Sequence, residues 1–454
     1  MQTKGILFLI LCLFLLHKSY AQPAVRLSLQ EILHMGESNY PLLKSKAFEV
    51  DAAKKTVETS KNTNIPSLDA SYQINYATHN NITGMLYPQF VLPISGPPSS
   101  TNDLSAVFGT ATSLLLNWQP ITFGQREAQT AYAEAGVSYA ASDAANEIFQ
   151  YKVKLINAYL DALTIKELIK VYDENLIRSQ TNLSEVKILV LNGIKPGVDT
   201  ALFFSEQSKA KIDLLSIKKN NEQAMIVLTQ LLASKENISI GDSSFFNQVP
   251  QYFVVADTIK HPLQSLYTSS IELDKAKRKA LTKTTAPMLN VWGTTYARGS
   301  GISYDGMINS FDGLGLQRIN YGVGVQLSLP LLQSLRIKSH VQQEDLLIKA
   351  DEERLNGINL QLSKQLQTAD TTLQYALQVV KESYPLLQSS DYVYKTILSR
   401  YHAGLANYAD VVQAQYNLVK AKVDYKTTYM AVWKALLYKA AVTGNINLFL
   451  NQVK

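Results

Sequence analysis

Apolar and polar residues alternate along four segments of the chain, and this period of two predicts β-strands. In the first segment, Leu68, Tyr72 and Tyr76 fall on one face, while Asp69 and Gln73 fall on the other. The four predicted strands span residues 67–77, 107–119, 288–298 and 321–329. The third is less regular than the others, because its aromatic residues share a face with polar ones: Trp292 and Tyr296 with Asn290, Thr294 and Arg298.

Steps of three and four between apolar residues predict helices over most of the remaining chain. One predicted helix runs from residue 123 to 191 without a proline, and a second, from 337 to 401, is interrupted only by Gly357 and Pro385. At about 1.5 Å per residue, the first helix would be roughly 100 Å long, which is more than one domain core can cover. After Asp410, a heptad pattern with small residues predicts close antiparallel helix packing.

The segments inside each strand pair are predicted to be long loops. Residues 78–105 are rich in proline, and residues 299–320 are rich in glycine. Loops of this length are typical of the outward side of outer-membrane barrels.

Three landmarks recur in the same order in the two halves of the chain. They are Pro66 and Pro287 before a strand, Pro120 with Arg126 and Pro330 with Arg336, and Gly193 with Asp199 and Gly404 with Asp410. The recurrence indicates a tandem duplication of one structural unit, with repeats at 22–245 and 246–454. Each repeat contains a helical hairpin, with its turn at about 192–199 in the first and 402–410 in the second.

The first 21 residues have the features of a cleaved secretory signal peptide. Lys4 precedes an apolar run that is too short to span a bilayer, and Ser19 and Ala21 supply the small residues of a cleavage site. The single cysteine, Cys12, lies in this segment, so the mature chain is predicted to have no thiol or disulfide. Removing Lys4 and Lys18 lowers the net charge from +6 to +4. A balance this mild does not favour a nucleic-acid partner.

Residues for catalysis or metal binding are not grouped in the sequence. The five histidines after the signal peptide are dispersed, without a pair at helical spacing that would bind a metal. Ser216 and Lys219 match the Ser-x-x-Lys pattern, but they lie in a lysine-rich helical segment typical of a solvated face. The sequence therefore predicts neither an enzyme nor a cofactor.

Strands that cross a membrane would account for both the alternation and the length of the four segments. Each predicted strand has about 9 to 12 residues, the length that a tilted membrane strand needs, although a soluble sheet with one wet face alternates in the same way. Four strands leave two open edges, and unpaired backbone groups cost several kcal/mol each in hydrocarbon. The sheet must therefore close across copies of the chain, with eight strands from two copies or twelve from three.

The second hairpin resembles that of a known family. The run from Arg400 to Gly404, followed by Asp410, Val411 and a heptad helix, resembles the second-repeat signature of the TolC-type outer membrane efflux proteins. The resemblance implies an α+β membrane protein built from a duplicated helix-strand-strand-helix unit. Three chains would share a twelve-stranded barrel in the outer membrane of a Gram-negative bacterium, with a long coiled-coil barrel of helices in the periplasm.

The same resemblance implies partners and a function. The homotrimer would contact outer membrane lipid, dock with a periplasmic adaptor (membrane fusion) protein and pass substrates from an inner-membrane pump to the exterior. Two alternatives share some of these features. One is the outer-membrane component of type I protein secretion, and the other is a non-channel periplasmic coiled-coil scaffold.

Specific residues match the periplasmic gate of the family. The resemblance assigns gating and selectivity to Asp199, Tyr401 and Asp410, but Ala406 stands where the family has an arginine, and Gln413 where it has a second aspartate. A weaker acidic ring and a looser closed state are expected from these two departures. Capping of the helix start is the alternative role for the two aspartates.

The two hairpin turns are the expected docking tips for the adaptor. Long antiparallel hairpins expose their turns at one end, which assigns Gly193, Val198, Gly404 and Ala406 to this surface. The glycines are also expected to supply the turn geometry itself.

Overall fold

The computed structural model describes residues 25–78, 80, 101–234, 238–251, 260–303 and 305–453. The predicted signal peptide lies outside the described residues, and so does most of the predicted loop at 78–105. Within the described part of the chain, no helix is both long and apolar enough to cross a membrane.

Long helices connect short groups of strands. In chain order, the elements are β1 (Val25–Leu27), α1 (Leu29–Asn39), α2 (Pro41–Asn62), β2 (Ser67–Ala77), β3 (Val107–Ile121), α3 (Gln125–Leu191), α4 (Gly197–Leu232), β4 (Ile238–Ile240), α5 (Pro262–Lys283), β5 (Met288–Ser300), β6 (Arg318–Ser328), α6 (Gln333–His402), α7 (Tyr408–Val442) and α8 (Asn447–Leu450). Short 3-10 helices lie at Ser244–Phe246 and Ser310–Leu314.

Several helices and strands begin or end at residues other than the predicted ones. β5 continues to Ser300 and β6 begins at Arg318, so the predicted loop at 299–320 was too long at both ends. Helix α6 runs through Gly357 and Pro385 without interruption. The short strands β1 and β4 had not been predicted.

Packing divides the chain into two compact units that do not coincide with the predicted repeats. Of the described residues, those within 25–50, 139–269 and 351–453 form one unit, and those within 51–138 and 270–350 form the other. The unit boundaries fall inside α2, α3, α5 and α6.

The second unit contains a four-stranded antiparallel sheet in the order β2-β3-β5-β6, with β2 and β6 at its edges. Directly opposed residues lie on the same side of an antiparallel sheet, so the register assigns every residue to a face. One face is apolar, with Leu68, Tyr72, Ile74, Leu114, Leu116, Val291, Tyr321, Val323 and Val325. The other face is polar, with Asp69, Ser71, Gln73, Asn75, Ser113, Asn117, Asn290, Thr294, Arg298, Asn320 and Gln326.

The irregular third strand has a local explanation. Trp292 and Tyr296 lie on the polar face, and Trp292 lies opposite Gly324. A Cβ atom on Gly324 would lie 2.6 Å from the indole ring, so the glycine makes room for it.

The first unit has the larger apolar core. β4, which pairs in parallel with β1, contributes Ile238 and Ile240 to it. Large buried side chains come from several elements: Leu155, Ile156, Tyr159, Leu228, Phe245, Phe246, Trp433 and Leu436. The Trp433 indole donates a hydrogen bond to the Phe245 carbonyl oxygen at 3.1 Å.

Two helical hairpins have their turns in the first unit: hairpin 1 is α3 with α4, and hairpin 2 is α6 with α7. Helices α3 and α7 run antiparallel, and ion pairs join them at Asp161–Lys434, Glu167–Lys426 and Glu174–Lys422. The heptad predicted after Asp410 is buried at most of its positions, including Val411, Ala414, Leu418, Ala421, Val432 and Ala435.

Candidate functional site

The two hairpin turns have the same backbone geometry. Gly193 has φ +70° and Gly404 has φ +77°, the left-handed conformation that favours glycine at a helix C-terminus. In hairpin 1, the Ile194 N–H donates to the Leu189 carbonyl oxygen at 2.9 Å. In hairpin 2, the Leu405 N–H donates to the Arg400 carbonyl oxygen at 2.8 Å. Each glycine therefore ends one helix and reverses the chain.

The helices that follow the turns begin differently. Helix α7 starts with a capping box, in which the Asn407 side chain accepts from the Asp410 N–H at 3.0 Å. The Asp410 carboxylate accepts from the Asn407 N–H in return, at 3.1 Å. Asp410 is exposed, and the capping role considered for it is present.

Helix α4 starts at a proline instead. Pro196 is its N-cap residue and makes no side-chain capping bond. Proline has no N–H, so it cannot donate to the carboxylate of Asp199, whose own N–H donates to the Pro196 carbonyl oxygen at 3.1 Å. The capping role considered for the Asp199 carboxylate is therefore absent, and its oxygens are left for another partner.

That partner is Tyr401 of hairpin 2. Its hydroxyl donates to the Asp199 carboxylate at 2.6 Å, and both residues are buried, with 1% and 9% of their surface exposed. Burial, reinforced by the bond to Asp199, raises the pKa of Tyr401 above its usual range, so the hydroxyl stays protonated as the donor. The Lys195 ammonium lies 4.1 Å from the centre of the Tyr401 ring. One hydrogen bond thus joins the end of hairpin 1 to the end of hairpin 2.

Aromatic packing supports this hydrogen bond. The centre of the Phe203 ring lies 5.6 Å from that of Tyr401 and 4.8 Å from that of Tyr408. The Tyr408 hydroxyl donates to the Leu202 carbonyl oxygen at 2.8 Å, which is a second polar contact between the hairpins. The sequence resemblance had not identified Phe203 or Tyr408.

Further along the hairpins, away from the turns, a buried polar network connects α3 with α6 and α7. The Asn182 amide and the Tyr394 hydroxyl exchange hydrogen bonds at 3.1 and 3.3 Å. The Gln415 amide donates to Asn175 at 3.1 Å and to Ser179 at 2.9 Å. Sequence reasoning missed this network, although Asn175, Ser179 and Asn182 are spaced by four and three residues and so share one helix face.

The turns themselves expose apolar side chains. Leu191 is 86% exposed, Leu405 69%, Val198 61% and Ile194 59%. Ala406, by contrast, is partly buried against the apolar cluster between the hairpins. Of the predicted docking residues, Val198 is thus freely accessible, while Leu191, Ile194 and Leu405 extend the exposed surface.

Gln413 lies on the first turns of α7, where its side chain is exposed and donates to Asn417 at 3.0 Å. Among the described residues, no group of His, Cys, Asp and Glu side chains has the arrangement of a metal site.

A family model described as outer membrane efflux protein matches residues 32–234 and 271–428. The chain belongs to the outer membrane efflux protein family. The two matched segments fall one in each predicted repeat. The family consists of channel proteins of the outer membrane with a periplasmic helical extension.

Solved structures share the fold at low sequence identity. The CmeC outer membrane channel of Campylobacter jejuni has a TM-score of 0.71 and 13% identity, over 92% of this chain and 86% of that one. CusC has a TM-score of 0.72 and 12% identity, over 94% and 96%. The open state of the Neisseria gonorrhoeae MtrE channel has a TM-score of 0.69 and 13% identity, over 92% and 89%. No curated protein sequence matches the chain.

Proposed function

We propose that three copies of this chain form one outer membrane efflux channel, which receives substrates from an inner-membrane pump through a periplasmic adaptor. The observation that carries the proposal is the four-stranded sheet with one apolar and one polar face and with two open edges. An apolar face suits lipid and a polar face suits an aqueous lumen.

The open edges require further strands in the membrane. Backbone groups along β2 and β6 need partners in hydrocarbon, and pairing β6 of one copy with β2 of the next supplies them. Three copies close a barrel of twelve strands, as expected from the family resemblance. In detergent, the protein is expected to be a trimer of chains that are each 50.5 kDa before removal of the signal peptide. A monodisperse monomer that still inserts into bilayers would overturn this assembly.

Conduction is the direct test of the channel. The trimer is expected to conduct ions across a planar bilayer, whereas a periplasmic coiled-coil scaffold would not. Three Asp410 carboxylates around a narrow axis would favour cations, because like charges at a constriction focus the potential.

Two matched substitutions test the position of Asp410. Asp410→Asn removes the charge and keeps an oxygen that can accept from the Asn407 N–H, so the helix cap survives. Its reversal potential in a salt gradient should move toward that of a non-selective pore. Gln413→Glu supplies a carboxylate at the position where the family has its second aspartate. It should move the reversal potential in the opposite direction. If neither value changes, Asp410 does not line the pore and acts only as a cap.

In this proposal, the Asp199–Tyr401 hydrogen bond holds the periplasmic tips of the hairpins in the closed arrangement. It is buried and joins two helices that must separate for the tips to part. No arginine stands at position 406, so the closed state depends more heavily on this bond.

The exposed apolar turns are proposed as the adaptor-docking surface. Leu405→Glu and Val198→Trp should abolish export in cells and crosslinking to the adaptor, while trimer yield and bilayer conductance stay unchanged. Asn192→Glu is the control for the added charge, since Asn192 is an exposed polar residue of the hairpin 1 turn. Loss of trimer together with export would show instead that these residues only stabilise the assembly.

A further inference from the structure

The loop between β5 and β6 folds back onto the end of the sheet. The Gly301 N–H donates to the Phe108 carbonyl oxygen at 2.9 Å and so continues the β-ladder into the loop. The Thr110 hydroxyl donates to the Gly313 carbonyl oxygen at 2.9 Å. The short 3-10 helix from Ser310 to Leu314 is therefore attached to β3 rather than directed away from it.

The loop covers the apolar face of the sheet, not the polar one. Thr110 and Gly299 are directly opposed and belong to the apolar face. A Cβ atom on Gly299 would lie 1.7 Å from the Gly315 carbonyl oxygen, so the loop backbone passes directly over this side. Thr110 is accordingly 3% exposed, while Leu114, further along the same face, is 44% exposed.

The outer surface of the loop is itself apolar. Its exposed large side chains are Met307, Ile308, Phe311, Leu314 and Leu316. Between residues 301 and 317, the sequence contains only two charged residues, Asp305 and Asp312. Exposure of several large apolar side chains to water within one loop is unfavourable, and an apolar patch of this kind marks an interaction surface.

Aromatic rings join the loop to the strands. The Phe311 ring lies 5.9 Å from Phe108, which in turn lies 4.8 Å from Tyr76. Phe108 and Tyr76 are opposed on the apolar face at the ends of β3 and β2. Outer-membrane barrels place girdles of aromatic residues at this level, where hydrocarbon meets the interface.

The loop lies at the outer end of the strands. The long helices connect to the opposite ends, at the start of β2 and β5 and the end of β3 and β6. Since the helices extend into the periplasm, the β5–β6 loop is on the exterior side.

We propose that the β5–β6 loop is a lipid-contacting collar, whose apolar side chains insert among the acyl chains of the outer leaflet. It covers the apolar face at the outer ends of the strands and exposes its own apolar side chains, so it continues the lipid-facing surface at the exterior interface. The occupant of this surface is lipid because the surface is continuous with the membrane-facing sheet. The proposal rests on the lipid-facing sheet of the proposed channel, but it does not depend on the adaptor, the pump or the gate. A label at Val323 that is not quenched by nitroxide lipid would contradict that channel rather than the collar.

Single-cysteine labelling tests the collar in proteoliposomes made from phospholipid. Met307→Cys, Phe311→Cys and Leu314→Cys are labelled one at a time with an environment-sensitive fluorophore; the sole cysteine, Cys12, lies in the predicted signal peptide. Nitroxide-bearing phospholipids report contact with acyl chains, and iodide reports contact with water. Val323→Cys is the reference for the apolar face, and Asn320→Cys is the reference for the polar face.

The three loop labels are expected to be quenched by nitroxide lipid as strongly as the label at Val323, and several-fold more than the label at Asn320. Iodide should quench them weakly. Two results overturn the proposal. Iodide quenching at the level of Asn320 would place the loop in water, and protection from both quenchers would mean that protein covers it. Conductance measured on each labelled variant shows that it has folded and assembled.

Discussion

Three residues before the aspartate, hairpin 1 has Pro196 and hairpin 2 has Asn407, and this difference separates two turns that otherwise share a pattern and a backbone geometry. Asn407 has a side-chain acceptor and an N–H, so Asp410 forms a reciprocal cap on its own helix. Pro196 has neither, so the carboxylate of Asp199 bonds to Tyr401 of the other hairpin. The comparison teaches that the N-cap residue decides whether an aspartate serves its own helix or joins two helices.

The largest expected effect comes from breaking the bond between the hairpins. Tyr401→Phe leaves a buried carboxylate without its donor, which costs about 1.5 to 3 kcal/mol for a bond to a charged group. The ratio of open to closed channels should rise about tenfold or more, since 1.4 kcal/mol is a factor of ten. Single-channel recording measures this ratio, and a double-mutant cycle with Asp199→Asn isolates the pairwise energy. Additive effects in the cycle would show that the two groups do not act together.

The pKa of Tyr401 gives this prediction a control. The folded-state pKa of Tyr401 is raised, so its hydrogen bond to Asp199 stabilises the joined hairpins fully below the usual tyrosine pKa of about 10. This stabilisation declines only at higher pH. The difference between wild type and Tyr401→Phe should therefore be equal at pH 7 and pH 9. A difference that disappears by pH 9 would mean that another group controls the tips.

The start of α7 should respond to loss of its own cap, because the Asn407–Asp410 hydrogen bonds involve no residue of hairpin 1. Asn407→Ala removes the side-chain acceptor, which costs about 1 kcal/mol in the free energy of unfolding. Thermal unfolding of the detergent-solubilised protein measures the cost. The Asp199–Tyr401 coupling energy should be unchanged in this background, and a change would show that the two turns are not independent.

Replacing the positive-φ glycine of either turn should lower stability by the same amount. Gly193→Ala and Gly404→Ala each place a Cβ atom on a residue with positive φ, at a cost of about 1 kcal/mol. Neither Cβ atom would meet a neighbour within 4 Å, so backbone strain is the only contribution from this chain. Unequal shifts in the unfolding temperature would point to contacts made by one turn in the assembled protein.

The smallest expected effect comes from making hairpin 1 resemble hairpin 2. Pro196→Asn supplies an acceptor and an N–H at the start of α4, so the Asp199 carboxylate divides between its own helix and Tyr401. The coupling energy of the double-mutant cycle should fall by about 0.5 kcal/mol, part of the value of a capping interaction. An unchanged coupling energy would show that the bond to Tyr401 outcompetes the new cap.

Local patterns explain how much of the molecule could be predicted. Strand β2 has the predicted bounds because its alternation is regular from Ser67 to Ala77. The third strand was harder to assign to a face, because the glycine that accommodates Trp292 lies on a different strand, at position 324. The family resemblance assigned Asp199, Tyr401 and Asp410 to the gate. It did not show that Asp199 bonds to Tyr401 while Asp410 caps its own helix.

By itself, the sequence determined the duplication, because the same landmarks recur in order, and the two periods and the turn glycines, because each of these is a property of neighbouring residues. Only the tertiary structure decided which aspartate reaches Tyr401, how Gln415 joins Asn175 and Ser179, and on which face the β5–β6 loop lies. The contacts of Asp199 and Gln415 connect residues more than 200 positions apart, as in Asp199 and Tyr401 with a separation of 202. Helix packing and strand register set such distances, and no local period encodes them.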